Sequence, residues 1–172
     1  RQLMLQLREG ATPPGVACGV DLAAIVRRIQ SAKADQQPVL EVSIDEPLCA
    51  RGHEERIERV IGHMAQNALD ATEATGSVAI HLRREEGMAC IEVIDTGKGM
   101  APEFVRERLF KPFQTTKQAG MGIGAYESFQ YVQELGGRIH VESTVNIGTR
   151  VRMLLPLFDI GSGSDRQRLE VA

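Results

Sequence analysis

Apolar residues recur along the chain with two different periods, and these predict its helices and strands. Alternation with period two predicts strands at residues 39–45, 77–83, 89–94, 138–143 and 149–155. Apolar spacing of three and four residues predicts helices after Asp21, at 52–72 and at 124–135. This order predicts an α/β (α+β) two-layer sandwich, in which helices cover one face of a mixed, largely antiparallel sheet.

The two ends of the chain have a different character from its centre. Residues 1–10 carry a short apolar stripe that predicts the last turns of a helix, and residues 11–20 contain a Pro-Pro-Gly linker signal. We therefore place the folded domain at 21–158 and a flexible tail at 159–172. Because the chain starts at Arg1 rather than at a methionine, we expect it to be a fragment of a longer protein.

Composition excludes several classes of protein. A net charge of −3 over 172 residues gives no reason to expect contact with nucleic acid or with a membrane surface. The three cysteines lack a CxxC spacing, so we expect neither disulfides nor a metal cluster, and a reducing cytoplasm fits. The GxxxxGK[ST] motif is absent, so a nucleotide would have to be bound without a P-loop.

A polar residue ends the most apolar of the predicted strands. Alternation places Asp95 on the same face as Ile91 and Val93, at the rim of the core, where a carboxylate needs a partner. Glycines follow it directly and recur at 120–124, and the intervening segment is basic. Because glycine lets backbone N–H groups approach a ligand closely, this pattern predicts a nucleotide pocket under a movable lid.

Two other elements direct polar groups towards the same region. His63, Asn67 and Asp70 share one stripe of the helix at 52–72, beside its apolar face. Thr149 is in phase with Val151, so its hydroxyl is predicted to lie on the buried face of the last strand.

With these residues in place, the chain resembles the ATP-binding catalytic domain of bacterial sensor histidine kinases. That domain belongs to the superfamily, with the Bergerat ATP-binding fold, that also contains type II topoisomerases, Hsp90 and MutL. The resemblance covers residues 21–156 and rests on five segments in the family's order. They are the N box at 63–71, the G1 box at 95–100, the F box at 109–117, the G2 box at 120–124 and the pair Gly148-Thr149.

The resemblance implies a protein-histidine kinase that binds ATP with Mg²⁺ and transfers the γ-phosphate to a histidine. None of the four histidines lies in the family's phosphoacceptor context, so that histidine is expected upstream, in the protein's own dimerisation domain. The implied partners are a response regulator receiver domain and a second copy in a cytoplasmic homodimer. The G2 segment further resembles the kinase of the exosortase/PEP-CTERM system.

Two residues are implied to recognise adenine. Asp95 would accept a hydrogen bond from the exocyclic amine, a donor that guanine lacks at that place. The alternative is an aspartate that only stabilises the turn before Gly97. Thr149 would hold a water between itself, Asp95 and the base; the alternative is an ordinary β-branched strand residue.

The N box is implied to serve the phosphates. Asn67 would be the Mg²⁺ ligand and a catalytic residue, since one amide oxygen suits an ion that retains phosphate and water ligands. His63 stands where hydrolysing relatives carry a water-activating Glu; contact with phosphate or a metal-bound water is one interpretation, and an ordinary helix histidine is the other. Asp70 departs from the lysine common at that position, which puts its phosphate contact in doubt.

The predicted ATP lid spans residues 97–122, and its ends are implied to touch the nucleotide. Lys117 is nearly as well explained as a solvated lysine, and both phenylalanines fit lid packing better than a base contact. The implied cofactor-binding residues of the lid and its flanks are Gly97, Gly99, Met100, Phe110, Phe113, Thr115, Thr116, Lys117, Gly120, Met121, Gly122, Ile123 and Gly124.

Three other functions compete with the histidine kinase. They are a stand-alone serine kinase of the anti-sigma type, a hydrolysing ATPase of the MutL kind, and a module that senses a nucleotide without catalysis. The F box weighs against the first, His63 against the second, and the intact Asp95, Asn67 and glycines against the third.

Overall fold

The computed structural model describes residues 18–107 and 123–158. The strands are β1 (Cys18–Asp21), β2 (Leu40–Ile44), β3 (Cys49–Gly52), β4 (Val78–Glu85), β5 (Met88–Asp95), β6 (Arg138–Thr144) and β7 (Gly148–Pro156). The helices are α1 (Leu22–Ala32), α2 (Glu54–Ala71), α3 (Pro102–Glu107) and α4 (Ile123–Glu134). The predicted helix at 1–10 and the predicted tail at 159–172 lie outside the described residues.

Five strands form the main sheet, in the order β2-β4-β5-β7-β6. The β2–β4 pair is parallel and the other three pairs are antiparallel. Helices α1, α2 and α4 pack against this sheet and bury the apolar residues of its inner face, including Ile80, Ile91 and Met153. The predicted fold class, a mixed sheet with a helical layer, is confirmed.

A second, two-stranded sheet was not predicted from the sequence. Its strands β1 and β3 pair antiparallel, with Cys18 opposite Gly52 and Asp21 opposite Cys49. Each strand has only four residues and no alternation long enough to recognise, and the partners are about thirty residues apart in sequence. Residues 18–20, assigned to the linker by sequence, therefore belong to the folded domain.

The start of α2 is held by a residue from α4. The N-cap position is His53, whose side chain makes no capping hydrogen bond. Instead the backbone N–H of His53 donates to the Tyr131 hydroxyl at 2.9 Å, and the Arg56 guanidinium lies 3.9 Å from the centre of the same ring. Tyr131 is buried, although the helical spacing in the sequence did not place it in the core.

The outer face of the main sheet carries cross-strand ion pairs. Glu92 on β5 is buried there, and one of its oxygens accepts a hydrogen bond from Arg83 at 2.6 Å. The other oxygen forms an ion pair with Arg150, whose Nε lies 3.3 Å away. This contact does not have the geometry of a hydrogen bond, and that oxygen has no hydrogen-bond partner among the described residues. Glu92 lies on the face of β5 opposite Ile91 and Val93, between His81 of β4 and Arg152 of β7 in the register of the sheet.

Candidate nucleotide-binding site

Asp95 is the last residue of β5, the central strand of the main sheet, and lies at one end of the sheet's inner face. It pairs with Val78 on β4 and with Thr149 on β7, and only 7 % of it is exposed. Its Oδ1 accepts backbone N–H groups from Gly97 at 2.8 Å and Thr149 at 3.2 Å. The predicted buried position of this carboxylate is confirmed.

The environment of Asp95 disfavours its negative charge. Burial raises the pKa of Asp95 above its usual 3.8, and the two backbone N–H groups only partly oppose this. No hydrogen bond to its Oδ2 and no ion pair is found within residues 18–107 and 123–158. A carboxylate in this state retains one strong acceptor for an incoming donor.

The end of α2 is brought against Asp95 by a close backbone contact. A Cβ on Gly97 would lie 2.3 Å from the carbonyl oxygen of Ala71, so only glycine fits there. The same carbonyl accepts the Lys98 N–H at 3.0 Å. Because Asn67 lies one turn before Ala71, the amide predicted to bind metal is at the same end of the sheet as Asp95.

The G1 segment is also joined to the β6–β7 hairpin. Gly99 has φ +71, and a Cβ there would lie 2.1 Å from the carbonyl oxygen of Thr144. Asn146 donates its N–H to the Lys98 carbonyl at 2.7 Å. In this structure the glycines of the G1 segment therefore serve close packing of backbone, and the Gly97 N–H is directed at Asp95.

Ser143 on β6 contacts the candidate site and was not singled out from the sequence. Its hydroxyl lies 2.8 Å from the Thr149 hydroxyl, and it accepts the Met100 N–H at 2.7 Å. Thr149 is buried, as its phase in the strand predicted. The signal that could have indicated Ser143 is its place opposite Thr149 across a short hairpin.

The three polar residues of the N box have different surroundings. Asn67 and His63 are half-buried, whereas Asp70 is exposed and its carboxylate accepts a hydrogen bond from Gln66 at 2.8 Å. Gln66 is also bonded to Lys33 and Gln36, which follow α1. Asp70 is thus held on the side of α2 that faces the end of α1.

His63 lies in a cleft between α2 and α4. Burial lowers its pKa below the usual 6.5, and the nearby carboxylate of Glu127 partly opposes the shift. His63 is therefore neutral at pH 7 and has a lone pair to offer. The cleft has a volume of about 510 Å³ and is lined by Arg56, Arg59, His63, Glu127, Tyr131 and Glu134, among others.

Much of the predicted lid lies outside the described residues. Met100 contributes its backbone N–H to Ser143, and Ile123 and Gly124 form the start of α4. The predicted contacts that lie outside the description are those of Phe110, Phe113, Thr115, Thr116, Lys117, Gly120, Met121 and Gly122.

The described residues contain no group of three or more His, Cys, Asp or Glu side chains placed to hold a metal ion. Asn67, the predicted metal ligand, therefore does not belong to a cluster of this kind within the described residues. A site with few protein ligands fits Mg²⁺, which retains several waters and is commonly held through substrate phosphates.

Comparison with known proteins identifies the family. Residues 52–159, more than half of the chain, match the family described as "Histidine kinase-, DNA gyrase B-, and HSP90-like ATPase". The chain belongs to this family, as the five segments predicted. In the described part of the chain, no helix is long and apolar enough to cross a bilayer.

Several sensor kinases are similar to this chain. Sporulation kinase D of Bacillus subtilis (strain 168) is 34% identical over 118 residues, which are 69% of this chain and 23% of that protein. The C4-dicarboxylate transport sensor protein DctB of Rhizobium meliloti (strain 1021) is 43% identical over 98 residues, which are 56% of this chain and 16% of that protein. The chain thus spans less than a quarter of either relative.

The fold is also that of a solved kinase domain. The catalytic domain of histidine kinase ThkA superposes with a TM-score of 0.71, covering 81% of this chain and 95% of that one, at 23% identity. The predicted resemblance to the catalytic domains of sensor histidine kinases is confirmed at the level of family and fold.

Proposed function

We propose that this chain is the ATP-binding catalytic domain of a two-component sensor histidine kinase. The observation that carries the proposal is Asp95, a buried carboxylate whose Oδ1 is bonded to two backbone N–H groups and whose Oδ2 remains for a ligand. An acceptor of this kind favours a purine with an amine at C6, as in adenine, over one with a carbonyl there, as in guanine. The similarity to sensor kinases supplies the reaction class.

The domain contributes positioning and charge neutralisation to the reaction. Asp95 and Thr149 orient the base, and Asn67 holds Mg²⁺, which supplies charge neutralisation at the phosphates when it is bound. Neutral His63, lying one turn before Asn67, can accept a hydrogen bond at the phosphate end of the site. The lid contacts at Phe110, Phe113, Thr115, Thr116, Lys117, Gly120, Met121 and Gly122 are part of this proposal.

The phosphoacceptor belongs to another part of the protein. His53 is the N-cap of α2, His81 is paired with Asp45 on the outer face of the sheet, and His140 lies on that face too. We infer that a histidine in the protein's own dimerisation domain receives the phosphate and passes it to a response regulator. The full protein is then a homodimer with this domain in the cytoplasm, and the exosortase-system subgroup remains a prediction.

Nucleotide binding is tested by thermal denaturation of the chain with and without Mg–ATP. Ligand at about 100 times its Kd stabilises the folded state by about 2.7 kcal/mol, which raises the Tm by several degrees. GTP at the same concentration should give a much smaller shift. Equal shifts with both nucleotides, or no shift with ATP, would contradict the proposal.

The metal role of Asn67 is tested by Asn67→Ala. Wild type should bind ATP more tightly with Mg²⁺ than with EDTA, and the variant should lose that difference, about tenfold or more, because the proposed protein ligand is gone. Asp70→Ala is the matched control one turn along the same helix and should retain the difference. A variant that keeps the full Mg²⁺ dependence would remove Asn67 from the metal site.

The reaction class is tested with the dimerisation domain restored. Label from γ-³²P-ATP should appear in the protein as phosphate that is labile in acid and stable in alkali, the behaviour of phosphohistidine. Acid-stable label would indicate a serine kinase, and steady release of inorganic phosphate would indicate a hydrolase; either result would replace the kinase proposal.

A further inference from the structure

A series of polar side chains runs along α2, away from the base end of the candidate site. The backbone contact between the G1 segment and the last residue of α2 fixes Asp95 beside the end of this helix. Asn67, His63 and Arg59 follow towards the start of the helix, each one turn from the next. Asn67 and Arg59 are thus about 12 Å apart along the helix axis. A nucleotide with its base at Asp95 and its metal at Asn67 extends its last phosphate towards the turns that carry His63 and Arg59.

Two arginines line the cleft between α2 and α4, and their surroundings differ. The Arg56 guanidinium lies 3.9 Å from the centre of the Tyr131 ring. Arg59 is exposed, and its side chain makes no hydrogen bond or ion pair within residues 18–107 and 123–158. Glu127 and Glu134 line the same cleft, yet neither forms an ion pair with Arg59. The guanidinium of Arg59 therefore keeps all of its donors for a ligand that enters the cleft.

The phosphate end of the nucleotide needs positive charge from the protein. The N box, residues 63–71, contains no lysine or arginine, and Asn67 supplies an uncharged amide. A guanidinium presents N–H donors in one plane and matches two phosphate oxygens at once, which a point charge does not do. ADP lacks the last phosphate, so such a contact would be made with ATP and not with ADP.

We propose that Arg59 binds the γ-phosphate at the mouth of the α2–α4 cleft and so distinguishes ATP from ADP. This inference rests on the proposed function, because it concerns the phosphate end of the same nucleotide site. The arginine is available at no cost to the fold, since no contact within the described residues has to be broken for it to reach the phosphate.

The test measures how strongly the chain prefers a nucleotide with a γ-phosphate. Titration calorimetry at low ionic strength gives the affinities for Mg–ADP and for Mg–AMPPNP, a non-hydrolysable analogue of ATP. Arg59→Gln should weaken AMPPNP binding about fivefold to tenfold, as for the loss of a charge-assisted hydrogen bond at an exposed site, and should change ADP binding by less than about twofold. Added salt should reduce the effect on AMPPNP, because exposed charges are screened.

Three further variants separate a specific contact from the general charge of the surface. Arg27→Gln removes the same charge from the exposed side of α1 and should leave both affinities unchanged. Arg56→Gln removes a charge from the same cleft, but from a guanidinium that lies on the Tyr131 ring, so it should alter the preference for AMPPNP over ADP by less than about twofold. Arg59→Lys keeps the charge without the planar donors and should retain part of the preference. Because Arg59 is exposed, the Tm of nucleotide-free Arg59→Gln should equal that of wild type.

The outcomes separate this inference from the proposed function. If wild type binds neither nucleotide, the proposed function fails and this inference fails with it. If wild type binds both, and Arg59→Gln weakens both equally or changes neither, this inference alone is overturned. An effect of Arg56→Gln as large as that of Arg59→Gln would also overturn it, since the general positive charge of the cleft would then account for the preference.

Discussion

Two carboxylates on β5, three residues apart, are buried on opposite faces of the sheet and have different partners. Glu92 on the outer face is 3 % exposed and Asp95 on the inner face is 7 % exposed. Glu92 lies between the guanidinium groups of Arg83 and Arg150. Asp95 has no cationic partner among the described residues and is bonded only to backbone N–H groups, through one oxygen.

The difference separates a carboxylate that supports the fold from one available to a ligand. The charge of Glu92 is compensated within the sheet by two guanidinium groups, although one of its oxygens has no hydrogen-bond partner among the described residues. The charge of Asp95 is poorly compensated, which is why its pKa is raised, and a ligand donor would relieve that cost. Perturbed ionisable groups are concentrated at functional sites for this reason.

The sharpest test of the comparison is Asp95→Asn. The amide oxygen can still accept the Gly97 and Thr149 N–H groups, but an NH₂ donor replaces the acceptor at Oδ2. We expect ATP affinity to fall by about 100-fold or more, because a donor then faces the adenine amine. The free energy of unfolding without nucleotide should be unchanged or higher, since a neutral amide avoids the cost of burying charge.

Titration calorimetry and denaturant unfolding measure the two quantities separately. ITP, which has a carbonyl in place of the amine, should lose less affinity than ATP does in the variant. Retention of wild-type ATP affinity would remove Asp95 from base recognition. A large loss of stability without ATP would mean that Asp95, like Glu92, mainly supports the fold.

The second test is the matched change on the outer face, Glu92→Gln. Arg83 and Arg150 then lose the carboxylate that they share. Arg83 keeps its ion pair with Glu85. Breaking a fully buried ion pair costs about 3–5 kcal/mol, and the partial exposure of both arginines reduces our expectation to about 2 kcal/mol. ATP affinity should change by less than about twofold, since the outer face does not meet the site.

Together the two variants form a crossed design. Asp95→Asn should lose binding and keep stability, and Glu92→Gln should lose stability and keep binding. If both variants lost both properties, the faces of β5 would be coupled and the comparison would fail.

The sequence predicts Asp95 far better than it predicts Glu92. Asp95 ends an apolar alternation and is followed by glycines, so local pattern alone marks it. Glu92 occupies an outward position in the same alternation, and its burial depends on Arg83 from β4 and Arg150 from β7. Cross-strand neighbours of this kind are set by register, which a single strand's pattern does not contain.

The distinction between local pattern and cross-strand contact also explains which other features could be predicted from the sequence. Long periodic elements such as α2 and the β6–β7 hairpin were predicted close to their observed bounds. Ser143 was missed because its three contacts come from segments distant in sequence or joined only through the hairpin. Tyr131 was missed because its role is to accept a backbone N–H from the start of α2, a contact made across two helices.

The smallest expected effect is on the pH dependence of stability. The comparison is between wild type and Asp95→Asn, in which an amide replaces the carboxylate. Its pKa in the folded state is above the usual 3.8, so as pH rises through the acid range the unfolded chain ionises before the folded one. The free energy of unfolding of wild type, relative to that of Asp95→Asn, should therefore be highest at pH values below 3.8. It should fall as the pH rises through the pKa that Asp95 has in the folded state. Above it the difference should be constant.

Urea unfolding of both proteins from about pH 3.5 to 7 measures this difference, and the comparison cancels the titration of every carboxylate that the two proteins share. A difference that instead grew with rising pH would show that the folded state favours the ionised carboxylate. Asp95 would then have a compensating partner as Glu92 does, and the acceptor proposed for adenine would already be in use within the protein.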